Sequence, residues 1–208
     1  MRPELRVAEI RACAKVNLCL EVLRRRSDGY HDLATIFQEV SLHDDLRVEV
    51  CAERGITLDV QGADVPPGRD NLAWRAAKAY RQMRGWPEGA GIRLTKRIPV
   101  GAGLGGGSSD AAAVVMALRE LDPDMKTEPD LSRLGADLGS DVPFFFTRGT
   151  ALAFGRGELL RPLPEPPKCS IALVKPEMSL ATAEAYAMLA RRDLSDGEHA
   201  AAMADALE

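Results

Sequence analysis

Apolar and polar residues alternate over residues 11–23. Ala12, Ala14, Val16, Leu18, Leu20 and Val22 interleave with Cys13, Lys15, Asn17, Cys19 and Glu21. A period of two predicts a strand with one apolar and one polar face, and it puts Lys15 and Asn17 on the same side. Residues 24–31 are polar and end in Asp28-Gly29-Tyr30-His31, a turn signal. Alternation over 37–42, 46–51 and 56–60 predicts three further strands. After a Pro- and Gly-rich loop at 62–70, Asp70 or Asn71 caps a predicted helix. Leu72, Ala76, Ala79, Tyr80 and Met83 share one face of it, and Gly85 stops it. Residues 91–98 predict another strand.

The second half of the chain changes texture. A glycine-rich loop over 99–107 precedes an Ala-rich helix that ends before Asp122-Pro123, with Ser108, Ser109 and Asp110 as candidate caps. Leu131, Leu134 and Leu138 predict a short helix closed by Gly139. Ser140-Asp141-Val142-Pro143 reads as a turn before the apolar run Phe144-Phe145-Phe146. Residues 150–154 predict a strand and 155–157 a turn. Four prolines at 162–167 suggest a boundary. Beyond it a strand at 170–175 and a helix from Thr182 are expected. A Ser195-x-x-Glu198 capping box opens a last helix, with Ala200, Met203 and Leu207 on one face.

Composition narrows the class. The chain has 208 residues, 46% of them hydrophobic and 28% charged, with a net charge of −4. These values suit a globular protein of one large or two small domains. The charge balance points to neither nucleic acid nor an anionic membrane. No apolar run approaches the ~18 residues needed to span a bilayer, and the charged N-terminus is unlike a signal peptide. Cys13, Cys19, Cys51 and Cys169 form no Cys-x-x-Cys pair. They read as reduced thiols of a cytoplasmic protein rather than zinc ligands.

Pro99-Val100-Gly101-Ala102-Gly103-Leu104-Gly105-Gly106-Gly107-Ser108-Ser109-Asp110 carries the strongest chemical signal. A backbone without Cβ atoms can turn tightly and aim several N–H groups at an anion. The following helix adds its free N–H groups and the positive end of its dipole. A polyphosphate suits a loop of this length. Gly101-x-Gly103-x-x-Gly106 matches a dinucleotide fingerprint literally but lacks that motif's strand and acidic-residue context. A Walker loop requires a lysine where Gly107 runs directly into Ser108. The structural alternative is a flexible tether.

Other polar positions have two readings each. Asp141 is either a turn cap or a carboxylate able to accept a substrate hydroxyl's proton. Lys15 is either a solvated strand residue or, with Asn17, part of a cleft wall where it offsets phosphate or carboxylate charge. Tyr30 and His31 are turn residues or a surface for a planar base.

Together, Ala14-Lys15-Val16-Asn17-Leu18, Arg26-Ser-Asp-Gly-Tyr-His31, Asp70-Asn71-Leu72, the glycine segment and Gly139-Ser-Asp-Val-Pro143 resemble the GHMP kinases. That family is named for galactokinase, homoserine kinase, mevalonate kinase and phosphomevalonate kinase. A fainter match is Lys175-Pro176 with Thr182-Ala-Glu-Ala-Tyr186. Asp-Gly-Tyr-His and the early Ala-Lys-x-Asn bring the chain nearest to one branch. That branch phosphorylates the erythritol hydroxyl of a cytidine-diphosphate conjugate in non-mevalonate isoprenoid synthesis.

The resemblance implies ATP as co-substrate, aided by Mg²⁺. It implies Asp141 as base with Lys15 as its electrostatic partner, and Pro99 to Ser109 around the ATP phosphates. It places Asn71 and Lys96 near the nucleoside of ATP, Tyr30 and His31 at the cytosine, and Asn17 against the acceptor. The implied fold is α+β. Residues 1–161 form an N-terminal ATP-binding domain like domain 2 of ribosomal protein S5, with a left-handed β-α-β element. Residues 162–208 begin a partial second α/β domain. Relatives carry a later Gly-Ser-Gly-type segment that nothing here matches, so a truncated chain with exposed apolar surface over 170–208 is expected. The alternatives are a nucleotide-binding remnant that transfers no phosphate and a different GHMP small-molecule kinase.

Overall fold

The architecture was read from a computed structural model that describes residues 6–51, 54–123, 130–176, 182–189 and 194–208. Residues 1–5, at the start of the charged N-terminus, and 177–181, just before Thr182, lie outside them.

Two long antiparallel strands, β1 (Val7–Arg25) and β2 (His31–Cys51), form the spine. Their pairing runs from Val7↔Glu49 to Arg25↔His31, with irregularities at Cys13/Lys15, Asn17/Cys19 and Val22/Arg24. β2 is thus one strand, where separate runs at 37–42 and 46–51 were expected. Continuous pairing with β1 carries it through the polar stretch His43-Asp44-Asp45. Bulges bend a strand and shift the phase of its side chains. Here Ala14 and Lys15 are both buried. Past the irregularity after Asn17, Leu18 and Leu20 turn outward and Glu21 turns inward. The single apolar face expected for residues 11–23 therefore does not survive past Asn17.

The bent spine feeds two halves of one mixed sheet. The later half of β2 pairs with β4 (Gly89–Thr95), which pairs in parallel with edge strand β3 (Ile56–Gln61). The earlier half pairs with β5 (Thr150–Gly155), then β6 (Leu159–Leu163). β6 carries Pro162 and pairs across the division expected at 161/162, in keeping with proline's confinement to sheet edges.

Helix α1 (Leu72–Arg84) makes the β3–α1–β4 crossover and packs on α2 (Gly106–Leu121). Ala73, Ala76, Ala77, Ala111 and Ala112 are fully or almost fully buried, and their small side chains let the two helices approach. Leu46, Val48, Ile92 and Leu94 from the sheet and Tyr80, Val114 and Leu118 from the helices complete this core. Each large side chain contributes roughly 1.5–3 kcal/mol by leaving water. α2 begins at Gly106, two residues before the serines expected to cap it, with Gly105 as its N-cap. α3 (Leu131–Leu138) ends at Gly139 as expected. The apolar run at Phe144 forms helix α4 (Val142–Thr147), an assignment its sequence left open because three adjacent phenylalanines carry no period to read. A Cβ on Gly135 would stand 2.8 Å from Phe146 Cε2, so α3 and α4 touch closely.

The far sheet face is covered by α6 (Glu198–Leu207). Ala200 and Ala204, both fully buried, pack with Leu207 on Ala34, Ile36, Leu152 and Leu163, while Met203 faces out. No capping box forms. Ser195 Oγ donates instead to Glu21 Oε1 at 2.5 Å, and Gly197 is the N-cap. Residues 170–175 pair in no sheet; Ile171, Leu173 and Val174 are exposed, the last at 92%. Alternation without a partner strand gives no ladder. α5 (Thr182–Ala187) precedes α6 in the chain, and a 3-10 turn (Gly68–Asp70) leads into α1.

Candidate active site

The glycine loop lies between the end of β4 and α2. Gly101, Gly103 and Gly105 all have φ near +70°, a left-handed conformation costly for other residues. At Gly105 space also forbids a side chain: a Cβ would stand 2.8 Å from Phe145 Cζ and 3.1 Å from Lys15 Cγ. The first intrahelical bond of α2 runs from Ser109 N–H to Gly105 O. The preceding N–H groups of its first turn have no helical acceptor. Residues 99–107 all line one cleft of about 240 Å³, with Asn71, Lys96 and Asp110. Ser108 and Ser109 do not line it. Ser109 is buried, and its hydroxyl donates to Cys13 O at 2.6 Å, fastening α2 to β1.

Asn71 stands at the cleft wall and caps α1. Its Oδ1 accepts from Ala73 N–H at 2.9 Å, and its Nδ2 donates to Pro66 O at 3.1 Å. The ammonium of Lys96 is buried between two carboxylates. It donates to Asp44 Oδ2 and, at 2.8 Å, to Asp110 Oδ2. Asp44 Oδ1 also accepts the N–H groups of Arg97 and Ile98, fixing the chain that enters the loop. Burial pushes the Asp110 carboxyl up to about 7, against the pull of Lys96. Burial works to lower Lys96, but the two carboxylates overcome it and hold its pKa above the ordinary lysine value.

Lys15 joins this cleft to the next group of side chains. Its N–H donates to Leu104 O at 2.9 Å. Its ammonium donates to Asn17 Oδ1 at 2.7 Å and lies 5.0 Å over the Phe37 ring. The alternation of β1 correctly put these two side chains together. Asn17 Nδ2 donates in turn to the buried Thr35 hydroxyl at 2.7 Å. Burial lowers the pKa of Lys15, and the charge of Asp141 opposes that.

Asp141 lies where α3 gives way to α4. It occupies the N-cap position of α4, yet its carboxylate caps no N–H group. Val142 N–H donates to Gly139 O at 3.1 Å, closing the turn that presents it. Across from it, a Cβ on Gly157 would stand 3.8 Å from Asp141 Oδ1. Tyr186 of α5 is also near: burial first, then the Asp141 charge, raises its phenol pKa. Its ring stacks on His31 at 5.2 Å with 19° between planes. Tyr30 is 57% exposed and sits beneath the Arg156 guanidinium at 5.1 Å.

The residues singled out in the sequence, Ser108 and Ser109 apart, thus gather in two adjoining groups, a backbone-lined cleft and a polar-aromatic wall, with Lys15 shared. Asp44, Thr35, Arg156 and the pairing of Asp110 with Lys96 were not foreseen. A signal for Asp44 existed, since positions 44, 46, 48 and 50 fall on one strand face and all are buried. An aspartate in phase with three core residues calls for a buried partner.

Comparison with known proteins gives a consistent picture. The family model "GHMP kinases N terminal domain" matches residues 71–149. A 4-diphosphocytidyl-2-C-methyl-D-erythritol kinase of Pelotomaculum thermopropionicum is 51% identical over 175 residues, covering 84% of this chain and 61% of that protein. The one from Shouchella clausii is 45% identical over 201 residues, covering 96% of this chain and 67% of that protein. The chain therefore spans about three-fifths to two-thirds of these relatives. A crystal structure of a 4-(cytidine 5'-diphospho)-2C-methyl-D-erythritol kinase superposes with a TM-score of 0.79 at 45% identity, over 96% of this chain and 71% of that one. A homoserine kinase from Cytophaga hutchinsonii, 18% identical, shares the fold with a TM-score of 0.64, over 97% of this chain and 65% of that one.

Proposed function

The chain belongs to the 4-diphosphocytidyl-2-C-methyl-D-erythritol kinase family of the GHMP kinases, and from that premise we propose that it transfers the γ-phosphoryl group of ATP to the erythritol hydroxyl of the cytidine-diphosphate conjugate. The cradle of residues 99–107 and the first turn of α2 binds the ATP phosphates through backbone N–H groups. Asn71 and the main chain at Lys96 adjoin the ATP nucleoside, since the Lys96 ammonium is occupied by carboxylates. Mg²⁺ enters as the chelate of ATP and is part of the co-substrate.

Asp141 accepts the proton of the acceptor hydroxyl as that oxygen attacks the γ-phosphorus, and ADP departs with the electrons of the broken P–O bond. Lys15 offsets the charge that Asp141 and the phosphates bring together. Asn17 positions the acceptor, and Tyr30 and His31 hold its cytosine, with Tyr186 stacked beside His31. Phosphoryl transfer needs little from a protein beyond alignment and charge stabilisation, and these groups supply both. A cytoplasmic setting suits the four free cysteines, and no described helix is long and apolar enough to cross a membrane.

The observation that carries this reading is the double engagement of Lys15, whose N–H holds the glycine loop while its ammonium lies within the field of Asp141. A coupled ADP-release assay tests it. ADP should appear only when ATP and the conjugate are both present, and Asp141→Asn should lower kcat by about 10²–10⁴-fold while ATP still binds. ATP binding without conjugate-dependent ADP release would identify a nucleotide-binding module instead.

A further inference from the structure

One cation on the acceptor side has no part in the chemistry above. Arg156 lies in the β5–β6 turn between Gly155 and Gly157, whose φ values of +68° and +110° make the reversal tight. Its guanidinium lies 5.1 Å over the Tyr30 ring. The next residue, Gly157, is buried against Phe37 and Asp141, where a Cβ would stand 3.4 Å from Phe37 Cζ and 3.8 Å from Asp141 Oδ1. A single peptide unit therefore links the Tyr30 wall to the Asp141 carboxylate.

The neighbouring cations are engaged. Arg24 and Arg26 donate to Asp32, Arg26 also to Asp28, and Lys15 to Asn17. Arg156 is held more loosely. Its Nε lies 3.7 Å from Glu158 Oε1, beyond hydrogen-bonding distance, and among the described residues its side chain donates no hydrogen bond. Glu158 instead accepts the Arg156 main-chain N–H at 2.6 Å, which fixes the turn and leaves the guanidinium able to move.

We propose that Arg156 binds the diphosphate of the acceptor, between a base held at Tyr30 and a hydroxyl presented to Asp141. The assignment rests on the proposed function. A diphosphate between those two points adds negative charge beside Asp141, and a cation is needed to offset it. The planar fork of arginine matches two phosphate oxygens at once. Its place over an aromatic face holds it partly desolvated without a competing hydrogen bond. Arg156 is then the residue that distinguishes a cytidine diphosphate from an uncharged cytidine.

The test is calorimetric titration of CDP and of cytidine into the whole chain, with the ATP cradle saturated by a non-hydrolysable ATP analogue. The wild-type chain should bind CDP at least tenfold more tightly than cytidine. Arg156→Gln should abolish most of that preference while changing cytidine affinity less than twofold, and Arg156→Lys should fall between. Glu158→Gln, which removes one of the two carboxylate charges that Arg156 faces (Asp28 bears the other) but keeps an acceptor for the turn, should tighten CDP binding. The assignment is overturned if Arg156→Gln weakens both ligands equally, which makes Arg156 a wall for the base, or if it leaves the CDP preference intact. It is also overturned if Glu158→Gln weakens CDP or leaves it unchanged. A wild-type chain that binds neither ligand defeats the proposed function as well, whereas a CDP preference that survives in Arg156→Gln defeats this assignment alone.

Discussion

Lys96 Nζ lies 2.8 Å from Asp110 Oδ2, and this buried contact ties the strand entering the glycine loop to the helix leaving it. Asp44 on β2 is the third corner, so a single ammonium serves two carboxylates. Asp110 Oδ1 is buried without a hydrogen-bond partner. Burial disfavours the ionised carboxylate, and despite the pull of Lys96 the group sits near 7 instead of the ordinary 3.8.

The pH dependence follows with a definite sign. A carboxyl whose folded pKa is raised stabilises the fold below its unfolded pKa and loses that contribution as pH rises through the folded value. Urea melts of the wild type should thus weaken as pH rises from about 4 to about 7 and level off above, by an amount of order a few kcal/mol at most. Asp110→Asn should flatten that interval. Identical slopes in the two proteins would exclude Asp110 as the source.

Two glycines of the loop separate strain from crowding. Gly101 and Gly105 share nearly the same φ, but a Cβ at Gly101 meets nothing within 4 Å, whereas one at Gly105 meets Phe145 and Lys15. Gly101→Ala should cost about 1 kcal/mol of backbone strain. Gly105→Ala should cost roughly 2–4 kcal/mol in denaturant melts, because overpacking adds to the strain. Equal losses would show that Phe145 yields.

Lys15 gives a kinetic prediction. Burial lowers its pKa, so its positive charge is lost at lower pH than that of an exposed lysine. The alkaline limb of kcat/KM should therefore fall below the ordinary lysine range. Lys15→Arg, which keeps its charge, should remove that limb even if it lowers the plateau. A limb that persists in Lys15→Arg would assign it elsewhere.

Glu21 holds α6 in place. Its carboxylate accepts from Ser195 Oγ, from Ala200 N–H at 2.6 Å and from His199 Nδ1 at 3.1 Å. Burial pushes its pKa up, but these three partners together bring it below the ordinary glutamate value. Such a group stabilises above the unfolded pKa, and the stabilisation is lost as pH falls through the folded one. Glu21→Ala should speed amide exchange in residues 198–207 at least tenfold while exchange in α2 stays unchanged, and acid below pH 4 should have the same local effect.

The parts legible in the sequence were those with local causes. α1 and its Asn71 cap, α3 and its glycine stop, and the glycine loop before a helix each carry their signal within a dozen residues. The proximity of Lys15 and Asn17 followed from strand period alone. What escaped was set at a distance. Leu18 and Leu20 face outward because β1 takes an extra residue against β2, which no alternation in β1 itself reveals. Asp110 resembled a helix cap because its partners, Lys96 and Asp44, lie 14 and 66 positions away. Ser195 resembled a capping box because Glu21, 174 positions away, was out of view.

β1 meets the glycine loop at Lys15, the polar-aromatic wall at Asn17 and the rear helix at Glu21. These three duties share one ribbon, and each depends on which way its side chain points. Replacing a residue there disturbs one duty; adding or deleting a single codon between positions 15 and 21 reverses the downstream ones together. Reading-frame-preserving indels in that stretch should be among the least tolerated lesions in the gene, even though substitutions at Leu18 or Leu20 are borne easily.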